Sequence, residues 1–223
     1  MINHQVLDQL QERLGISGLR ILHSGPPTEA WPARPHTIQS VLIIGHAGSE
    51  FWPHFRASEE YADGMPDPLD RWSRRVIQAT APDMAFVSPN DGPPYAPLHA
   101  LSAGGSLFPS PLGMMAHGEF GLWTAVRGLL LSKDALPASP AADLPPASVF
   151  DQCFAACPVS AFSETGYDAV ACARHLIADP EVACWGGCLA RKACTLGASH
   201  AYDPSHAKFY MDAFTAAMQR RGL

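Results

Sequence analysis

The clearest apolar run in the chain is Ser40-Val-Leu-Ile-Ile-Gly45, unbroken and closed by glycine, which predicts a buried strand. Ahead of it Val6, Leu7, Leu10 and Leu14 recur at helical spacing and Gly15 stops the pattern, so residues 3–14 read as an amphipathic helix. Leu19–His23 predicts a short strand, and the four prolines of residues 25–35 predict a loop. The strand exits through His46-Ala-Gly-Ser-Glu-Phe-Trp-Pro-His-Phe, where Ser49 can cap a short helix with Pro53 near its first turn. His46 and His54 lack a local partner at ligand spacing and read as loop or surface histidines. Asp67-Pro68 is a helix start, followed by an apolar stripe of Leu69, Trp72, Val76 and Ile77. Arg71, Arg74 and Arg75 fall off that stripe and read as a solvated face. Met84–Ser88 predicts another strand, and residues 89–112, with Gly104-Gly105, a long loop.

The most distinctive segment follows at 117–131: His-Gly-Glu-Phe-Gly-Leu-Trp-Thr-Ala-Val-Arg-Gly-Leu-Leu-Leu. Gly118 and Gly121 allow a sharp turn or close approach to a ligand. Arg127 and Gly128 interrupt the apolar run at its centre, where a core strand usually carries neither. An ordinary turn into a buried strand and a ligand platform both satisfy the pattern. Residues 133–149 are a Pro/Ala-rich linker, so the expected organisation is a body at 1–132, the linker, and a C-terminal region at 150–223. There, Asp168–Ile177 reads as a helix. A last helix starts after Asp203-Pro204-Ser205, runs through Phe209, Tyr210, Phe214 and Met218, and ends at Gly222.

At 223 residues, 47% hydrophobic and 16% charged, the chain is globular and long enough to bury a core. A net charge of −6 without a Lys/Arg stripe argues against nucleic acid as partner. The absence of a long apolar run and of a signal-peptide pattern predicts a cytoplasmic protein with no membrane partner. All six cysteines fall between 153 and 194. Such clustering in a chain without a secretion signal favours metal or redox chemistry over structural disulfides.

Residues 117–131 resemble the signature of the MMACHC (CblC) family of cobalamin-processing proteins: the histidine, Phe-Gly, the tryptophan, Ala-Val-Arg-Gly and three aliphatics. Asp67-Pro68-Leu69-Asp70 before a helix, the early strand with its aromatic exit, and Asp143-Leu144-Pro145-Pro146 extend the likeness in order over about residues 1–150. It implies an α+β, nitroreductase-like sheet-and-helix body holding a corrinoid, which some members process with flavin or thiol reductants. His117, Gly118, Phe120, Gly121, Trp123 and Arg127 are the candidate cofactor-binding residues. His117 would line the pocket or meet the corrin side chains, Trp123 would pack on the macrocycle, and Arg127 would bond amide or phosphate oxygens. A core Trp123 and a structural Arg127 remain the alternative.

The remainder resembles a second family, the epoxyqueuosine reductases (QueG), which join a cobalamin domain to a ferredoxin-like module with two 4Fe–4S clusters. Cys153-Phe-Ala-Ala-Cys157-Pro158, Asp168-Ala-Val-Ala-Cys172 and Gly187-Cys188-Leu-Ala-Arg-Lys-Ala-Cys194 are similar to that module's cysteine segments. The likeness is degenerate. Two early cysteine positions fall on Ala147 and Phe150, a later one on Arg191, and Thr195 stands at the final proline. The resemblance leaves the first cluster only Cys153 and Cys194. It allows the second Cys157, Cys172 and Cys188, with Cys184 as a fourth ligand. Gly105-Ser106 stands where the catalytic aspartate is expected, which argues against epoxyqueuosine reduction. One remaining 4Fe–4S cluster, a zinc site using Cys184-x₃-Cys188, and a metal-free remnant all stay open. His175 and His200 are near enough in sequence to substitute as ligands. The expectation is a corrinoid-binding redox protein, with a corrinoid and an electron-donor protein as partners. A non-enzymatic cobalamin carrier and a flavin-dependent reductase on the same scaffold are the alternatives.

Overall fold

The computed structural model describes residues 2–27, 37–89, 105–163 and 166–223; the loops expected at 25–35 and 89–112 lie largely outside these. The chain is α+β, as expected, and divides into two compact units. The first comprises Met1–Phe108 and Thr124–Asp143, the second Pro109–Trp123 and Leu144–Leu223.

The first unit is built on an antiparallel sheet of β1 (Arg20–Gly25), β2 (Ser40–Ala47), β3 (Ala85–Val87) and the strand Thr124–Ser132, ordered β1, β2, Thr124–Ser132, β3. Every residue of β2 is buried, which accounts for the unbroken apolar run that marks it in the sequence. Helix α1 (Ile2–Gly15) packs on β1, and two short helices follow β2, α2 (Trp52–Arg56) and α3 (Glu59–Ala62). Helix α4 (Pro68–Thr80) buries Leu69, Trp72, Ser73 and Ile77, against the strand Thr124–Ser132 among others.

The aromatic exit of β2 folds back as core: Phe51, Phe55 and Trp72 meet with ring centroids 5.7–6.3 Å apart. His46 belongs to this core. It is fully buried, stacks on Phe51 at 4.0 Å and has Nδ1 3.2 Å from the Gly48 carbonyl, so the surface reading is corrected for it, while His54 is exposed.

Two helix starts also differ in mechanism from expectation. Phe51, not Ser49, occupies the N-cap of α2. Asp67 precedes α4 in the left-handed region (φ 51°) and caps nothing with its side chain. An aspartate tolerates that conformation better than most residues, and Pro68 then fixes the first turn. The arginines of α4 are engaged rather than merely solvated. Arg71 binds Asp63 through both terminal nitrogens at 2.8 Å, Arg75 binds both Glu60 oxygens, and Arg74 lies 5.0 Å over the Phe86 ring.

Short strands β4 (Leu107–Pro109) and β5 (Met115–His117) precede the long strand, now β6 (Thr124–Ser132). The arginine and glycine at its centre have separate explanations. The β2–β6 register jumps from Ile44↔Gly128 to Gly45↔Val126, leaving Arg127 as the extra residue of a bulge. Arg127 reaches Asp70 of α4 at 3.3 Å. Gly128 is required by packing, because a Cβ there would stand 2.8 Å from Phe86 Cζ and nearer still to Cε2. The segment after β6 is pinned within the first unit. Ser139 N–H donates to Ser24 O at 2.7 Å, Ser24 Oγ to Pro137 O at 2.8 Å, and Leu136 N–H to Ser40 Oγ at 2.8 Å.

In the second unit, helix α5 (Asp151–Ala155) is followed by the hairpin β7 (Phe162–Ser163) and β8 (Gly166–Tyr167). Helices α6 (Ala169–Ala178), α7 (Leu189–Ala193) and α8 (Pro204–Arg220) complete it, with α5 packed on α7 and α6 on α8. Asp168 caps α6, its carboxylate accepting from Ala171 N–H at 2.9 Å. Among the described residues no helix is long and apolar enough to cross a membrane.

Candidate functional site

Cys157, Cys172, Cys184 and Cys188 come from separate local structures. Cys157 closes the turn after α5, where its sulfur accepts from Ala161 N–H at 3.3 Å. Cys172 sits on α6, hydrogen-bonded to Tyr167. Cys184 lies in the 3₁₀ turn Ala183–Gly186, and Cys188 occupies the N-cap of α7 beyond Gly187, whose φ of 121° suits only glycine. The four line one small cavity, with His175 and Met211 among its other walls. His175, near enough in sequence to substitute as a ligand, has its Nε2 buried without a hydrogen-bond partner among the described residues and lines this cavity. His200 does not: it packs edge-on against Phe120 at 5.0 Å.

Burial is the largest cause raising the Cys172, Cys184 and Cys188 thiols above their ordinary range, and neighbouring thiolates raise them further. Each of the three is raised by at least one other cysteine of the same cavity, so four ionised sulfurs would repel one another. A cationic centre relieves that repulsion. The donor set therefore fits a thiolate-bound iron–sulfur group in kind and number. The cavity holds about 20 Å³, near the size of one water site. Among the described residues no three His, Cys, Asp or Glu side chains are grouped as for a single metal ion.

Cys153 and Cys194 stand apart as a fully buried pair, hydrogen-bonded to each other; burial first, then that bond, pushes the Cys153 thiol up to about 12. Arg191 stands where the reductase resemblance leads one to expect a cysteine. Its guanidinium donates to Leu122 O and to Tyr202 Oη at 2.9 Å, and lies 4.9 Å over Trp123 and 4.2 Å over Tyr202. His206, stacked on Tyr202 at 3.9 Å, is held down to about 3 by burial and then by the Arg191 charge, and is neutral.

Trp123 and Tyr202 line a second cavity of about 240 Å³, together with Phe162, Tyr167, Tyr210 and Phe214. Cys172 and Cys188 line both cavities. Sequence pattern carried a faint trace of this wall, since Tyr202, Tyr210 and Phe214 fall at multiples of four residues.

The six candidate cofactor residues are not brought together in one unit. Arg127 lies in the first unit, in the bulge, with its Nε–H donating to Val126 O at 2.8 Å. The others lie in the second. His117 and Gly121 exchange backbone hydrogen bonds of 2.9 and 2.8 Å, closing a turn that contains Gly118. His117 Nδ1 accepts from Glu119 N–H at 3.1 Å, and its ring stacks on Phe120 at 4.6 Å. Gly121 (φ 56°) and Gly197 (φ 68°) pack back to back. A Cβ on Gly121 would stand 2.8 Å from Gly197 N and nearer to the Leu196 carbonyl. Trp123 is 3% exposed and packs edge-on against Tyr202 at 5.3 Å.

No protein-family model matches the chain, and no curated sequence matches it. Solved structures do. An epoxyqueuosine reductase solved with an epoxyqueuosine-modified tRNA-Tyr stem loop superposes with a TM-score of 0.51 at 14% identity, over 92% of this chain and 70% of that one. The epoxyqueuosine reductase of Streptococcus thermophilus gives 0.50 at 14%, over 93% and 70%. The chain is similar in fold to epoxyqueuosine reductase. The B12-trafficking protein CblC of C. elegans also aligns, with a TM-score of 0.49 at 12% identity over 94% of this chain and 92% of that one. At these identities the likeness is one of fold. Where the reductase resemblance leads one to expect an aspartate, Gly105 lies flush against His23, and a Cβ there would stand 2.7 Å from the ring Nδ1. Ser106 N–H donates to the same nitrogen at 3.2 Å, so that position serves packing and a turn.

Proposed function

We propose that this chain is a corrinoid-linked redox protein in which Cys157, Cys172, Cys184 and Cys188 hold one 4Fe–4S cluster. The observation that carries the reading is that these four cysteines line one cavity, with His175 on the same lining. The resemblance of the cysteine segments to the reductase module favours a cluster over zinc, since four thiolates suit either. When bound, such a cluster supplies single electrons at low potential. The chain's own part is to exclude water and tune the sulfurs. Ala161 N–H donates to Cys157, backbone N–H groups of Ala190 and Arg191 stabilise the Cys188 thiolate, and Tyr167 bonds Cys172. Such hydrogen bonds set the basicity of the ligands. Cys153 and Cys194 lack a third and fourth thiolate, and Arg191 stands at the missing position, so the module keeps one centre.

The corrinoid half of the proposal is supported by the resemblance of residues 1–150 to cobalamin-processing proteins and by the reductase fold. His117, Gly118, Phe120, Gly121, Trp123 and Arg127 remain its candidate contacts, though each already has an internal structural role. The test is to reconstitute the protein with iron and sulfide, reduce it, remove the reductant and add hydroxocobalamin. Conversion to cob(II)alamin by wild type and not by Cys172→Ser is the expected result. A spectrum unchanged by loaded, reduced protein overturns the corrinoid role.

A further inference from the structure

The 240 Å³ cavity has features that a packing defect does not have. Its wall is aromatic, from Trp123, Tyr202, Tyr210, Phe162, Tyr167 and Phe214, with Met114 and Met211 as adaptable flank. Two of its lining residues carry a buried nitrogen without a hydrogen-bond partner among the described residues, Trp123 Nε1 and Arg191 Nε. Trp123 is 97% buried, that is, 3% exposed. Arg191 has no carboxylate partner among the described residues either; its other contacts are a carbonyl, a phenol and two ring faces. Buried donors left unmade are costly, and native proteins rarely leave them so. Both orphans donate, and one of them belongs to the Arg191 cation, so the complement is a ligand with acceptor oxygens.

Size narrows the class. The cavity exceeds the ~150 Å³ of an engineered cavity that takes benzene and falls short of the ~300 Å³ at which drug-sized pockets begin. It admits one or two fused rings, not a corrin or a flavin with its side chain.

We infer that this cavity binds a small planar ring of one or two cycles carrying carbonyl or carboxylate oxygens, with the ring among the aromatic walls and the oxygens on Trp123 Nε1 and Arg191 Nε. Because Cys172 and Cys188 line this cavity as well as the thiol cavity, the ligand would lie beside the candidate redox centre. The assignment stands on the cavity itself and does not require the cluster.

Calorimetric titrations of the full chain, as purified and after reconstitution, would use three ring-matched probes. These are 2,3-dimethyl-1,4-naphthoquinone, whose filled ring positions block thiol addition, 2-naphthoate, and 2-methylnaphthalene, which has no acceptor. The quinone or the carboxylate should bind at least tenfold tighter than the hydrocarbon, and which of them does identifies the source of the oxygens. Trp123→Phe, which keeps a ring and removes the N–H, should erase most of that margin, and Ala207→Leu, which fills the cavity, should abolish binding. Equal affinity for all three, binding of none, or an undiminished margin in Trp123→Phe overturns the assignment. Should Trp123→Phe fail to fold, the wild-type comparison and Ala207→Leu still decide. Iron-free protein that binds the probes sinks the cluster proposal alone, and iron-loaded protein that ignores them sinks this one alone.

Discussion

Gly121→Ala separates a glycine kept for a ligand from one kept for packing. The added methyl meets two obstacles. The left-handed backbone (φ 56°) costs an L-residue about 1–2 kcal/mol. The new Cβ would also lie 2.8 Å from Gly197 N and closer to the Leu196 carbonyl, so two backbone segments must part. Overpacking of that kind costs about 1–3 kcal/mol. The sum is about 3 kcal/mol, and at about 2–4 °C per kcal/mol for a chain of this length the melting temperature should fall by about 6–12 °C. Gly113→Ala is the control: its φ is 72°, but the nearest atom to a new Cβ is 3.6 Å away, leaving only the backbone cost of about 1 kcal/mol. Gly197→Ala should match Gly121→Ala, and the double variant should cost less than the sum, because the first methyl has already opened the gap. Urea melts followed by circular dichroism and tryptophan emission measure all four. If Gly121→Ala is no less stable than Gly113→Ala, the packing account is wrong and the ligand-platform reading of this turn returns.

Glu60 is held near pKa 2, against 4.5 ordinarily, chiefly by its hydrogen bond to Arg75. Its contribution is thus complete above about pH 4.5 and lost as pH falls toward 2. Arg75 is 58% exposed, which screens the pair to about 1 kcal/mol; Glu60→Gln should flatten the stability profile over that window, and an unchanged acid slope would refute it. A double-mutant cycle of Arg127→Met and Asp70→Asn should give a coupling of about 0.5–1 kcal/mol; zero coupling would remove the ion pair as the reason for an arginine in β6. Cys153→Ser should cost about 1–3 kcal/mol in stability and leave the iron content of reconstituted protein unchanged, whereas iron loss would place Cys153 among the ligands.

The parts legible in sequence were those governed by local pattern. The run at 40–45, the periodicity of Leu7, Leu10 and Leu14, and the helix read at Asp168–Ile177 are local, and the structure shows each element within a few residues. What escaped depends on partners distant in the chain. Arg127 reads as a misplaced charge until a bulge and Asp70 are known, and Gly128 as a strand breaker until Phe86 fills its place. His46 reads as a surface residue because a histidine after a strand usually is one; its burial follows from Phe51 folding back. The clustering of the cysteines was visible in the sequence and their assignment to one set came from the reductase resemblance, while one histidine on a helix, His175, has no periodic signature. The aromatic cavity joins residues from 112 to 214 and leaves almost no local trace.

The most direct test of the central claim is iron and acid-labile sulfide on protein reconstituted without oxygen, read with its spectrum before and after reduction. The account predicts about four irons and four sulfides per chain, a broad visible absorbance bleached on reduction, and loss of both in Cys157→Ser, Cys172→Ser, Cys184→Ser and Cys188→Ser. Protein that retains no iron, or takes up one zinc per chain in its place, would contradict it.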